Sequence, residues 1–491
     1  MAISFNAIPG NAREPFVYVE FDPSKAVEGA SIMPYRCLII GQRLAAGTVA
    51  ALLPTRVTSA AQGKTYFGAA SMLAQMIDKH FANNDFVETW VVALDDLGAG
   101  VAATGAVKFT GSPTSPGLID LYGAGRRVRI AAAQGATAAS LATATAAAIN
   151  AAADLPFTAA VDGVDTAKVN LTARHKGECG NSIDLRVNYY DGEVTPAGLT
   201  VELTAFANGA GNPDITPVFA VLGDEHYQVI AHPYTDAANL VALETEMADR
   251  FGPSRQIDGV AFTASSGSHS ALGTLGDSRN SPHSSIIGAY KSPSPPWEWA
   301  AALAARVAQR GQIDPARPYR GLALTGILPP KLEDRFTLQE RNLLTFDGIS
   351  TFTVDDGGVV RISLPITTYK TNQVGADDTS YLHVRTMLTI CYLRWDWRNL
   401  VLRKYPDFKL AKDGTAYGAG QAVVTPNVMK AESFMWFRRM EEIGLVEDFE
   451  QFKRDSICEI DAQNPNRLNM YMPPNLINGL DVVAAQLGFR I

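Results

Sequence analysis

Tyr35-Arg36-Cys37-Leu38-Ile39-Ile40-Gly41-Gln42 and, further on, Thr89-Trp90-Val91-Val92-Ala93-Leu94 decide the fold class. Each is a nearly continuous apolar run, the pattern of a strand covered on both faces. Between them Phe67, Met72, Leu73, Met76, Ile77 and Phe81 recur at helical spacing, which predicts one helix over 66–82. Strand, helix, strand is a βαβ unit, and so a piece of an α/β fold.

Outward from this unit the texture changes near residue 98. To about residue 210 the chain is rich in Ala, Gly and Thr, with short alternating runs such as Val107/Phe109 and Val169/Leu171/Ala173 and an Ala-rich helix over about 137–152. This predicts a small inserted α+β unit. Gly98-Ala99-Gly100 and Asn208-Gly209-Ala210-Gly211-Asn212-Pro213 flank it as linkers. The α/β texture then resumes: strands over 227–231, 259–263 and 284–290, and helices over 236–251 and 297–311. Asp355-Asp356-Gly357-Gly358 marks a hairpin between 349–354 and 359–364. Helices over 379–405 and 425–443 follow.

Both ends read as strands. Phe16-Val17-Tyr18-Val19-Glu20-Phe21 is bounded by Pro15 and Pro23. At the other end Val483, Ala485, Leu487, Phe489 and Ile491 fall on one face of a period-two pattern. Neither strand has a hairpin partner nearby in sequence, so each must pair elsewhere, within its own domain or on a neighbour's open edge.

The 491 residues fit about three domains. A formal net charge of −8 argues against a broad basic surface for nucleic acid. Cys37, Cys179, Cys391 and Cys458 are scattered and form no CxxC pair, which reads as reduced thiols of an intracellular protein. The first residues lack the pattern of a signal peptide, and no apolar run reaches the roughly 20 residues of a membrane span.

The chemical motifs are incomplete. Gly63-Lys64-Thr65 precedes helical spacing, but a P-loop needs glycine where Thr58 stands. The simpler reading is a helix start with Thr65 near the cap. Gly98-x-Gly100-x-x-Ala103 is followed by the strand-like Ala106-Val107-Lys108-Phe109, where a dinucleotide fold needs a helix. His226 and His232, beside Asp224 and Glu225, would share one strand face, yet no third ligand accompanies them. Arg394, Arg398, Arg403, Lys404, Lys409 and Lys412 are interleaved with Trp395, Trp397 and Tyr405. That cluster fits a packed helix face or a patch for an acidic protein partner.

Taken in order, these stretches resemble the tail sheath proteins of contractile-tailed phages, especially the Mu-like kind. The resemblance rests on Ile8-Pro9-Gly10 with Phe16 to Glu20, on Phe67-Gly68-x-x-Ser71-Met72-Leu73-Ala74 with Asn83-Asn84 and Trp90 to Leu94, on Asp224 to Asp236, and on Leu393-Arg394-Trp395 through Lys404-Tyr405-Pro406 to Thr425-Pro426. It covers nearly the whole chain. The sequence departs from the family at Glu14-Pro15-Phe16, where many sheaths carry Pro-Gly-Val.

The resemblance implies a structural subunit, without catalysis or cofactor, that stacks with copies of itself around a tail tube. Baseplate and tail terminator proteins would be further partners, with no nucleic acid and no membrane insertion. The virion tail is the expected location, after assembly in host cytoplasm. The expected organisation is an arm over 1–22, a central α/β domain over 23–97 and 213–345, an outer unit over 98–212, a tube-facing domain over 346–476 and an arm over 477–491. The linking strands would use Phe16, Val17, Tyr18, Val19 and Phe21, and Val483, Ala485, Leu487 and Phe489. Arg438, Arg439, Lys453 and Arg454 are candidate tube contacts. Two alternatives are a two-domain α/β enzyme binding phosphate or nucleotide through Gly63-Lys64-Thr65, and another component of a phage tail.

Overall fold

A computed structural model describes residues 33–490. The strand expected over 16–21 lies outside the described residues. The chain combines helices and sheets in a multidomain α/β and α+β arrangement.

The first βαβ unit comprises β1 (Arg36–Gln42), β2 (Thr55–Val57), α1 (Ala60–Phe67), α2 (Met72–Asn83) and β3 (Glu88–Leu94). β1 and β3 pair in parallel from Arg36↔Glu88 to Gln42↔Leu94. The single helix expected over 66–82 is two helices. Gly68 ends α1 at φ 91°, a conformation a side chain resists, and Ser71 caps α2 by accepting from the Ala74 N–H. Gly63-Lys64-Thr65 lies inside α1, whose cap is Ser59 and not the expected Thr65. A Cβ on Gly63 would sit 2.8 Å from Ile77, so this glycine serves the packing of α1 on α2.

The next residues build sheets of their own. They comprise β4 (Ala102–Gly111), β5 (Gly117–Gly123), β6 (Arg126–Ala132), α3 (Ala138–Ala151), β7 (Phe157–Val161), β8 (Lys168–Lys176), β9 (Leu185–Val187) and β10 (Leu199–Ala207). Their orders are β10-β4-β8-β7 and β6-β5-β9. Residues 106–109, read as strand against the dinucleotide pattern, fall in β4.

The large sheet resumes after α4 (Thr216–Leu222) with β11 (Val229–Ala231), α5 (Ala237–Phe251), β12 (Val260–Ser265), α6 (His269–Asp277) and β13 (Ser284–Gly288). Then come α7 (Pro296–Ile313), α8 (Leu338–Phe346), β14 (Ile349–Val354) and β15 (Val360–Leu364). The order is β15-β14-β13-β12-β11-β1-β3-β2, parallel except at its two outer pairs. The hairpin expected to open the carboxy-terminal domain is instead the edge of this sheet, through Ile286↔Ile349. Cys37 to Ile40 are wholly buried, because α2 and α7 cover one face of the sheet and α4 and α5 the other. The Ala-rich α7 lets backbone approach sheet closely, and Trp299 from it meets Phe352 at 4.7 Å.

The last part holds α9 (Val384–Lys404), the short pair β16 (Lys409–Leu410) and β17 (Val423–Val424), α10 (Pro426–Glu442), β18 (Val446–Glu447) and α11 (Phe449–Asp455). β19 (Ile457–Ile460), β20 (Leu468–Tyr471) and β21 (Asn475–Leu476) close the chain. Trp397 meets Trp436 at 5.5 Å across α9 and α10, and Phe437 stacks on Phe452 at 4.4 Å. Among the described residues no helix is long and apolar enough to cross a membrane.

Candidate assembly surfaces

The carboxy-terminal segment leaves the body at a fixed point. β21 pairs with β18 through Val446↔Leu476, and the Ile477 N–H donates to the Leu445 carbonyl at 3.1 Å. Gly479 then passes so close to Arg385 and Pro318 that a Cβ would come within 2.6 Å of the guanidinium carbon. At Asp481 the chain is pinned. Arg385 forks onto its carboxylate at 3.0 and 2.6 Å, and Arg320 donates to its carbonyl. Such a bidentate pair fixes direction as well as position.

Beyond the pin the segment is bare. Val482, Val483, Leu487 and Phe489 are 73–94% exposed, and Ala485 is exposed too. The strand expected there has no partner among the described residues, and residues 477–490 form no strand in the single chain. The physical reason is that a strand exists only with a neighbour to take its N–H and C=O groups.

A matching deficit stands nearby in sequence. β19 and β20 form an isolated antiparallel pair from Ile457↔Tyr471 to Ile460↔Leu468. Ile457 and Tyr471 on it are 56% and 60% exposed. A two-stranded ribbon is marginal by itself, and each outer edge can take another strand. Sequence reading missed this hairpin. Its signal was the turn Asp461-Ala462-Gln463-Asn464-Pro465-Asn466 between two short apolar runs. It missed the pin as well, because Arg385 and Asp481 lie 96 residues apart.

Across 489 residues, 42% are identical to the Mu-like prophage FluMu tail sheath protein of Haemophilus influenzae, covering the whole of both chains. The chain belongs to the phage tail sheath protein family. Residues 208–368 match the phage tail sheath protein central domain and residues 376–490 the phage tail sheath C-terminal domain. In fold it is similar to the anti-feeding prophage baseplate in the contracted state, with TM-score 0.50, 13% identity and 99% of each chain covered. It is also similar to a sheath tail protein of Desulfitobacterium hafniense, with TM-score 0.49, 11% identity, and 95% of this chain and 97% of that one covered. The chain is thus a structural sheath component of a contractile phage tail.

In this sheath subunit the cations singled out from sequence are mostly engaged. Arg439 donates to the buried Asp396 carboxylate at 2.5 Å, which also accepts from Trp436 Nε1. Arg438 pairs with Glu441 at 2.7 Å and lies over the Phe449 ring at 3.6 Å. Arg454 pairs with Asp455 at 2.9 Å, and Lys453 is exposed. Arg394 and Lys404 likewise join helices: Arg394 reaches Asp258 at 2.7 Å over the Phe251 ring, and Lys404 reaches Glu432 at 2.6 Å.

The chemical motifs are absorbed into packing. The backbone around Lys64 is spent on α1, where the Gly63 and Gly68 N–H groups donate to Ser59 and Lys64 carbonyls, so it forms no phosphate loop. His226 does not share a strand face with His232, because β11 spans only Val229–Ala231. His226 Nε2 lies 2.7 Å from the Asp258 carbonyl, while His232 is wholly buried. Among the described residues no group of three or more His, Cys, Asp or Glu is placed to hold a metal.

One prediction follows from the pin. Arg385→Ala should leave the subunit folded but free its arm, raising the concentration needed for assembly roughly tenfold, the worth of about 1.4 kcal/mol. Sedimentation across a concentration series checks this, and an unchanged threshold would show that the pin does not matter to assembly.

Proposed function

We propose that this subunit joins its neighbours through both ends. Residues 482–490, and the stretch Phe16 to Phe21, add strands to open edges of adjacent copies, with β19–β20 the receiving ribbon. The observation that carries this reading is the pairing of a pinned, bare, apolar-alternating arm with an incomplete two-stranded ribbon in the same chain.

The polymer surrounds the tail tube, with baseplate and terminator proteins at its ends. The carboxy-terminal part faces the tube, and the exposed Lys453 is the candidate contact of the four that keeps no ion pair among the described residues. We start that part beyond the hairpin rather than at residue 346, a reading supported by the pairing of the hairpin with the large sheet. The matched family segments, which meet between 368 and 376, support the same shift. Residues 98–212 sit outward.

The subunit performs no catalysis. Work comes from a difference in free energy between two lattice arrangements, summed over many copies, with the arms holding neighbours together while bodies turn. Contraction then drives the tube through the host envelope.

Deleting residues 1–22 should leave a soluble, folded chain that no longer polymerises, read by circular dichroism and sedimentation. Unfolding of that variant would place the strand in its own core and sink the proposed role of the amino-terminal arm.

A further inference from the structure

The joint between residues 98–212 and the large sheet is buried and charged. Glu298, in the first turn of α7, is 1% exposed. Its carboxylate meets Arg126 of β6 at 2.8 Å and Lys79 of α2 at 3.7 Å. The outer unit therefore supplies one of the two cations that make this carboxylate tolerable. Removing a partner from a buried pair leaves an uncompensated charge.

A second joint lies where the chain leaves β3. Asp96 accepts from His175 Nδ1 at 2.8 Å, from the Lys176 N–H at 2.9 Å and from Gln42 Nε2 at 2.7 Å. His175 Nε2 accepts in turn from the Met72 N–H at 3.1 Å. Met72 opens α2, so an imidazole from the outer unit satisfies one of the helix's free donors. The Gln75 amide, also on α2, donates to the Asp154 carbonyl at 3.1 Å and accepts from Trp297 Nε1 at 2.9 Å. One apolar cluster runs from Met76 and Ile77 in the body to Phe157 and Val169 in the unit.

Modules that merely hang on linkers meet their hosts through smaller, wetter contacts. We infer that residues 98–212 are an obligate part of one cooperative body, completing it by giving Arg126 to Glu298 and His175 to α2, and are not a removable exterior decoration.

Native-state hydrogen exchange on the full chain tests this, with amides of β1 and β3 reporting the body and β8 the outer unit. In the wild type the slowest amides of all three strands should exchange at a common rate. Arg126→Gln, a change in the outer unit alone, should accelerate all three by the same factor, roughly tenfold or more. Acceleration confined to β8, with β1 and β3 unchanged, would overturn the inference. As a second arm, replacing 98–212 by a short Gly-Ser linker should give a chain that does not fold. A soluble excised chain whose β1 and β3 amides keep wild-type protection would overturn it equally.

Discussion

Acidification from pH 7 to pH 4 is expected to unfold the subunit cooperatively, with most of the stability lost between about pH 6.5 and 4. Three buried histidines and the half-buried His226 cause it. His80 lies 2.9 Å from the Thr89 hydroxyl behind β1, and burial pushes it down to about 3. His232, wholly buried, is pushed down to about 4 by the same cause. His226 is lowered to about 4 by burial, with Arg250, Arg36 and Arg398 adding to the effect. His283, 3.3 Å from the Gly259 carbonyl, is lowered to about 4 by burial as well.

The sign follows from linkage. These imidazoles stay neutral in the fold, while in the unfolded chain each takes a proton near pH 6.5, so acid favours unfolding. Keeping His226, His232 and His283 neutral is worth about 3 kcal/mol each and His80 somewhat more, so by pH 4 the four together cost the fold on the order of 10 kcal/mol. Asp258 opposes them. Burial raises it to about 6 against the pull of Arg394, so its ionisation costs the fold, and protonation below pH 6 returns about 3 kcal/mol. The remainder is comparable to the whole stability of a domain, so the loss should be complete. Tryptophan fluorescence against pH reads it, and His283→Gln should shift the midpoint to lower pH. A native signal persisting at pH 4 would contradict the burial of these histidines.

The second large effect concerns the carboxy-terminal arm. Deleting residues 482–491 should leave the melting temperature within about 2 °C of wild type, because the deleted described residues lie outside the core and Asp481 remains. Assembly should fail. Burying Val483, Leu487 and Phe489 against a neighbour is worth about 1.5–3 kcal/mol each, beyond the strand hydrogen bonds. Even after the cost of ordering the arm, losing them weakens each contact on the order of a thousandfold. Cylinders formed by the truncated chain would show that the arm is ornamental.

Much of this was legible along the chain, and the failures have physical causes. β1, β3 and β12 were readable because burial on both faces leaves an unbroken apolar run. The turn at Asp355 to Gly358 announced a hairpin, but a hairpin's own residues do not say which sheet it joins, and Ile286↔Ile349 is a long-range choice. The break between α1 and α2 turns on the backbone angle at Gly68, which periodicity does not register. β19 and β20 are four residues each, too short for alternation to stand out. The arm shows the opposite case. Its period-two pattern was plain in sequence, yet the single chain forms no strand there, because a strand needs a neighbour to take its N–H and C=O groups.

Electron microscopy of the purified full-length chain at high concentration tests the central claim most directly. Hollow cylinders or stacked rings wide enough to hold a tube are the expected result. A chain that stays strictly monomeric under those conditions would contradict it.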